Sequence, residues 1–307
     1  MFINDLTDRL SSHALLYADD LKIFTSVDRK SNALVLQNDL KVIDDWCSSN
    51  KMSLNVDKCC VITFTKKKNR FVHSYYIRDQ LISRRDTVRD LGVLFDEQLT
   101  FRPHYDQIVK KSNRALGFII RTTKDFRKPR SVLYLFNSLV RSILEYCSPV
   151  WSPYYNVHIE NIERVQRRCL RYISRKNHYG RSLKDYSERL TEFDVIPLST
   201  RRRRYDLLYL HKILHSRIDA PDLLSSLSIN TRHRSRGSKS NIFAIQAYKN
   251  NTSYYNPLVR MCRAYNELAR AGKDIDVFNS KFPQYKKAIS DLLKNDETTA
   301  SPGGNGG

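Results

Sequence analysis

Leu15-Leu16-Tyr17-Ala18-Asp19-Asp20-Leu21-Lys22-Ile23-Phe24 sets two adjacent carboxylates between two short apolar runs. Leu15, Leu16 and Tyr17 on one side and Leu21, Ile23 and Phe24 on the other suit β-strands, and an Asp pair at their junction suits a tight turn. The stretch predicts a hairpin with Asp19 and Asp20 at its tip. Carboxylate oxygens held there can ligate Mg²⁺, and two such ions about 4 Å apart can clamp the attacking and leaving oxygens of a phosphoryl transfer. The same pair also serves as an ordinary turn former, and these ten residues alone leave both readings open.

Working outward, Ser31 can cap a helix in which Leu36, Leu40, Ile43 and Cys47 recur at helical spacing, and Asn50 suits its end. Cys60, Ile62 and Phe64 then alternate with Val61 and Thr63 as a strand does. A second hairpin over residues 75–82, turning near Arg78 and Asp79, precedes a strand over 91–95. From Pro103 the pattern turns helical. Tyr105, Ile108, Ser112, Ala115 and Ile119 form one apolar stripe, and Val132, Phe136, Leu139 and Ile143 a second. Ile159, Ile162, Val165, Cys169 and Ile173 form a third, on a helix whose other face carries Arg164, Arg167, Arg168, Arg171 and Arg175. Arg201, Arg202, Arg203 and Arg204 head a further helix that continues through Leu207, Leu208 and Leu214. Guanidinium forks of this kind pair with phosphate oxygens, so both arginine sets are candidate nucleic-acid contacts.

Charge supports that choice. The 307 residues contain 53 Lys and Arg against 32 Asp and Glu, a formal net charge of +21. Such an excess attracts phosphate backbones or anionic membrane surfaces, and nucleic acid is the better match. No run of eighteen apolar residues and no basic-then-apolar leader stands in the sequence. No membrane partner and no secretion are therefore expected, and the expected location is intracellular, in nucleus or cytoplasm. The six cysteines are scattered with no Cys-x-x-Cys pair, which argues against a disulfide framework or a zinc knuckle. His211 and His215 sit four apart without a third ligand and read as surface or RNA-facing residues.

Phe2-Ile3-Asn4-Asp5-Leu6 followed by Leu16-Tyr17-Ala18-Asp19-Asp20 resembles the polymerase motif of reverse transcriptases, in particular those of non-LTR (LINE-like) retrotransposons. Trp46 with Asn50-Lys51-Met52-Ser53-Leu54-Asn55-Val56-Asp57-Lys58-Cys59 resembles the next palm motif. Leu91-Gly92-Val93-Leu94-Phe95-Asp96, with Leu99-Thr100-Phe101 and His104, resembles the one after it, so three motifs stand in the family's order. The likeness continues through Trp151-Ser152-Pro153 to about residue 173 and is diffuse beyond.

The resemblance implies an α+β chain: part of a polymerase palm, a small antiparallel sheet with a helix, over 1–102, then a mainly helical thumb-like region over 103–229. A basic linker over 230–241, a C-terminal helical region over 242–295 and a flexible tail over 296–307 complete the expected organisation. It further implies Mg²⁺ on Asp19 and Asp20, with Lys58 near the leaving pyrophosphate as a proton donor. An RNA template and an RNA–DNA duplex are the implied partners. In the family the first palm aspartate and the fingers lie upstream of this hairpin, whereas sixteen residues precede Tyr17 here. The expectation is an RNA-directed DNA polymerase fragment, inactive alone and completed by an upstream palm and fingers segment. The alternative is a non-enzymatic basic nucleic-acid-binding protein derived from such an element.

Overall fold

A helical turn, α1 (Asn4–Thr7), leads into the antiparallel strands β1 (His13–Tyr17) and β2 (Asp20–Phe24), with Tyr17 opposite Asp20 and His13 opposite Phe24. The protein is described by a computed structural model over residues 3–126, 128–177, 185–230, 241–248, 250–273 and 275–299. It divides into two units, Met1–Thr100 and Phe101–Gly307. Residues 231–240 of the expected linker and 300–307 of the expected tail lie outside the described residues.

In the first unit, helix α2 (Lys30–Ser49) serves two small cores. Ile43, Trp46 and Cys47 pack with Leu6 and with Leu21 and Ile23 of the hairpin, while Ala33 packs with Tyr75, Ile77 and Ile82. Between these lies Asp39, fully buried, whose carboxylate accepts hydrogen bonds from the backbone N–H groups of Ser11 (3.0 Å) and Ser12 (2.8 Å). Burying that charge is tolerated because both donors point at it, and the bonds fix where β1 begins. Trp46 Nε1 donates to Asp5 at 3.1 Å and ties α1 to the same helix.

The remaining strands are short. After a 3₁₀ turn, Val56–Lys58, come β3 (Cys60–Val61), β4 (Tyr76–Ile77), β5 (Gln80–Leu81), β6 (Ser83–Arg84), β7 (Thr87–Asp90) and β8 (Val93–Asp96). They and the first hairpin make four two-stranded ladders among the described residues, and β3–β6 is parallel, in place of the single antiparallel sheet the sequence suggests. Side chains take over where strands would continue. Gln37 bonds both the N–H and the C=O of Tyr76 at 2.9 Å, and Arg84 donates to Thr63 Oγ1 and to His73 O. Arg78 and Asp79 turn the β4–β5 hairpin at φ 47° and 63°, the doubly positive geometry that matches strand twist.

The second unit is helical. Its elements are α3 (Arg102–Thr122), α4 (Pro129–Phe136), a π turn (Asn137–Arg141), α5 (Ser142–Glu145), α6 (Ser148–Trp151) and α7 (Asn156–Asn177). There follow α8 (Tyr186–Phe193), α9 (Leu198–Leu214), α10 (Pro221–Ser225), α11 (Asn251–Tyr254), α12 (Pro257–Arg270) and α13 (Phe282–Thr299). Helix α7 buries Ile162, Val165, Cys169 and Ile173, as its periodicity requires. On α4–α5 the buried positions are Val132, Leu133, Phe136, Val140 and Leu144, while Leu139 is exposed; Val132, Phe136, Val140 and Leu144 form an i, i+4 repeat. An i, i+4 repeat drifts around a regular α-helix, and the π turn resets the face so that the repeat stays inward. Leu207, Leu210 and Ile213 of α9 join Met261 and Tyr265 of α12 and Tyr285 and Ile289 of α13 in one core cluster. Buried Asn266 accepts from the N–H groups of Ile242 and Phe243 at 3.0 Å and donates to Phe243 O at 2.9 Å, pinning that segment to α12. The chain is α+β, and no helix of the described residues is long and apolar enough to cross a membrane.

Asp39→Ala leaves two backbone donors without their charged acceptor. The expected loss of stability in the first unit is about 2–3 kcal/mol, read by urea unfolding from Trp46 emission in a Trp151→Phe background.

Candidate carboxylate and nucleic-acid sites

The hairpin presents its acidic pair outward. Tyr17 and Asp20 close the ladder, Ala18 and Asp19 form the connection, and Ala18 sits at φ 53°, a left-handed backbone that costs an alanine about 1–2 kcal/mol. Asp19 and Asp20 are both exposed. Lys22, two residues on, pairs with Asp90 at 2.5 Å and fastens β2 to β7. Lys58 is exposed on its 3₁₀ turn, where its N–H donates to the Asn55 side chain at 3.3 Å.

Asp19 and Asp20 offer hard oxygen donors of the kind Mg²⁺ takes, usually one or two carboxylates with water and substrate phosphate completing the shell. Among the described residues no three His, Cys, Asp or Glu side chains gather to hold a metal ion. The donor set therefore matches one hydrated cation shared with a phosphate-bearing ligand. A two-ion clamp needs a further bridging carboxylate, which the described residues do not bring there.

The arginines of α7 are sorted by burial. Arg164, Arg168, Arg171 and Arg175 are exposed and fall on one stripe at i, i+4, i+7 and i+11, a row about 16 Å long. Arg167 is half-buried, paired with Glu160 at 3.0 Å and lying over the Tyr186 ring at 4.8 Å. Helix α3 runs parallel to α7. Tyr105 meets His158 (ring centroids 4.8 Å), Asn113 meets Arg168 (3.3 Å), the Tyr172 hydroxyl donates to Ile120 O (3.2 Å) and Lys176 to Thr123 O (2.7 Å). Lys110, Arg114 and Arg121 of α3 are exposed with the same i, i+4, i+11 spacing. In parallel neighbours, stripes rotated in opposite senses from the seam lie on one side of it, and Arg168 reaching Asn113 marks that side. The α3 cations are absent from the sequence-based candidates, although their spacing repeats that of α7.

The run at 201–204 behaves differently. Arg201 is engaged with Glu145, its Nη2 at 2.9 Å from Oε2, and Arg203 pairs with Glu267 at 3.1 Å. Arg202 is buried, its guanidinium pulled down by burial against the opposing charges of Glu163, Glu145 and Asp206. Asp206, also buried, accepts from Arg260 at 2.7 and 3.0 Å, and Arg260 donates to Pro149 O at 2.6 Å. Glu163 accepts from the Tyr186 hydroxyl and from the Leu198 N–H (2.9 Å), and burial raises its carboxyl above the usual range. Arg201 and Arg202 are thus turned inward, correcting the expectation of a solvent-facing phosphate contact. The cause is that α9 is packed by α6, α7, α12 and α13 on most of its circumference. His211 is likewise buried rather than surface-facing, stacked on His215 at 4.0 Å. Each ring donates through Nε2 to a carbonyl, His211 to Ser280 (2.8 Å) and His215 to Val277 (2.9 Å).

The chain that builds this geometry is similar to a curated polymerase. It is 28% identical over 178 residues to the "RNA-directed DNA polymerase from mobile element jockey" of Drosophila funebris. The match takes in 54% of this chain but only 18% of that polypeptide. No family model and no solved structure matches.

Inward and outward arginines should separate by stability. Arg202→Ala is expected to destabilise the second unit by about 3–5 kcal/mol, the cost of breaking a buried ionic cluster. Arg168→Ala should stay within about 0.5 kcal/mol, both read by urea denaturation followed by helical circular dichroism.

Proposed function

We propose that this chain is a reverse-transcriptase-like segment of a non-LTR retrotransposon polymerase, acting on an RNA template and its RNA–DNA duplex. The observation that carries the proposal is the Asp19–Asp20 pair held outward at a strained hairpin tip. The likeness to the jockey polymerase supports it. Asp19 and Asp20 would hold Mg²⁺, which when bound neutralises phosphate charge and favours nucleotidyl transfer. Lys58, exposed on a turn fixed by Asn55, would hold a proton for the departing pyrophosphate. Arg164, Arg168, Arg171 and Arg175, with Lys110, Arg114 and Arg121, would hold the duplex through its phosphates.

A second reading is a basic nucleic-acid-binding protein without turnover. Two separate features favour it: the two-carboxylate hairpin of the first unit lacks a third ligand among the described residues, and the second unit carries seven outward cations on α3 and α7. Mg²⁺-dependent primer extension separates the two. The chain alone is expected to bind an RNA–DNA hybrid without extending it, and extension is expected when the fingers and upstream palm of a related polymerase are added. Asp19→Ala with Asp20→Ala should abolish that extension while hybrid affinity stays within about twofold. Extension that survives the double substitution would remove the hairpin from the chemistry; failure to extend in any combination leaves the binding reading.

The grip has its own test. Replacing Arg168 and Arg171 by glutamate should weaken binding to all sequences alike and lower the slope of log affinity against log salt by about 0.7–0.9 for each phosphate no longer neutralised. An unchanged slope, measured by fluorescence anisotropy, would take α7 out of the interface.

A further inference from the structure

Four tyrosines from two distant segments pack into one cluster in the second unit. Tyr154 and Tyr255 lie face to face, centroids 4.1 Å apart and planes 3° from parallel. Tyr155 continues the cluster at 4.3 Å, and Tyr254 closes the other end edge-on at 4.8 Å. The two inner rings are half-buried and join the α6–α7 connection to the start of α12. The two outer rings are partly exposed, Tyr155 at 47% and Tyr254 at 40%.

The surroundings of the outer rings are cationic and polar. The Arg263 guanidinium lies over Tyr254 at 3.5 Å and near Tyr255 at 5.3 Å. Asn251 donates to the Tyr155 hydroxyl at 3.1 Å. The positive charge of Arg102 reaches both Tyr154 and His158. Rigid, oriented aromatic faces beside arginine suit a planar, electron-rich ligand joined to phosphate better than they suit an apolar helix. Packing explains the inner pair; it does not require the outer rings to reach solvent.

We propose that this cluster is a stacking platform for unpaired nucleobases of a single strand. Tyr155 meets one base through its solvent-exposed part, and the Arg263 guanidinium, layered on Tyr254, offers its plane to another. Arg102 and Arg263 attract the intervening phosphates. The platform rests on the nucleic-acid reading above but uses none of its residues, neither the α3 and α7 cations nor Asp19 and Asp20.

The test compares the full chain with Tyr155→Ser/Tyr254→Ser and with Tyr155→Phe/Tyr254→Phe. Binding to fluorescent oligouridylate, oligothymidylate and a blunt RNA–DNA duplex is followed over a range of salt. The serine pair is expected to lose about ten- to a hundredfold in affinity for both single strands. Its salt slope should not change, since no charge is removed, and duplex affinity should stay within about twofold. The phenylalanine pair should bind single strands as the wild type does. Tyr155→Leu, which keeps apolar volume without a ring, repeats the test if the serine pair disturbs folding.

Unchanged single-strand affinity in the serine pair, or an equal loss on duplex, overturns the platform. So does a loss confined to oligouridylate that the phenylalanine pair shares, which would assign the effect to a hydroxyl contact. Wild-type chain that binds duplex but no single strand overturns the platform and leaves the duplex grip standing. Tyrosine-dependent single-strand binding without duplex binding does the reverse, and binding of neither overturns both.

Discussion

The second unit depends on neutralising arginine inside a chain that carries a surplus of positive charge. Arg201, Arg202 and Arg260 are withdrawn from water, and each faces a carboxylate supplied by another part of the fold or by the next turn of α9. Glu145 comes from α5, Glu163 from α7 and Asp206 from α9 itself. Lone buried charges would be prohibitive, so these helices can close on one another only in the arrangement that matches the pairs. Glu163 also accepts from the first N–H of α9 and from Tyr186 of α8, so one side chain sets the meeting point of three helices. The exposed cations of α3 and α7 lack equivalent acidic partners among the described residues.

The first unit solves a smaller version of the same problem. It has little core, and α2 carries both halves of it, Trp46 on the side of the hairpin and Ala33 on the side of β4. Asp39 supplies a rigid link between them by holding the backbone entering β1. The hairpin tip can therefore sustain a left-handed alanine, because both strands are anchored at their bases.

The hairpin, α2 and α7 were legible because each rests on local pattern: alternation with a turn former, helical spacing, and an apolar stripe opposite a charged one. The short ladders were not. Residues 60–64 alternate like a strand, yet among them only Cys60 and Val61 find a partner strand, a pairing with Ser83 and Arg84 that no local pattern announces. Four consecutive arginines carry no periodicity, so nothing local tells Arg202 from Arg204; the distinction lies in Glu145 and Glu163, far away in sequence. The tyrosine cluster was invisible for the same reason, its two halves being brought together by α12. Lys110, Arg114 and Arg121 could have been found, because their spacing repeats that of the α7 stripe.

The π turn at Asn137–Arg141 acts as a phase adjuster between two obligations. Upstream, Val132 and Phe136 must face the core; downstream, Leu144 must do so while Glu145 meets Arg201. A single-residue deletion there would give a more regular helix, and it would swing everything after it by about 100°. The local hydrogen bonding would improve while the buried ion pair lost its acid. Helical regularity and charge matching are thus in competition at this point, and the wider turn is the form in which both are met.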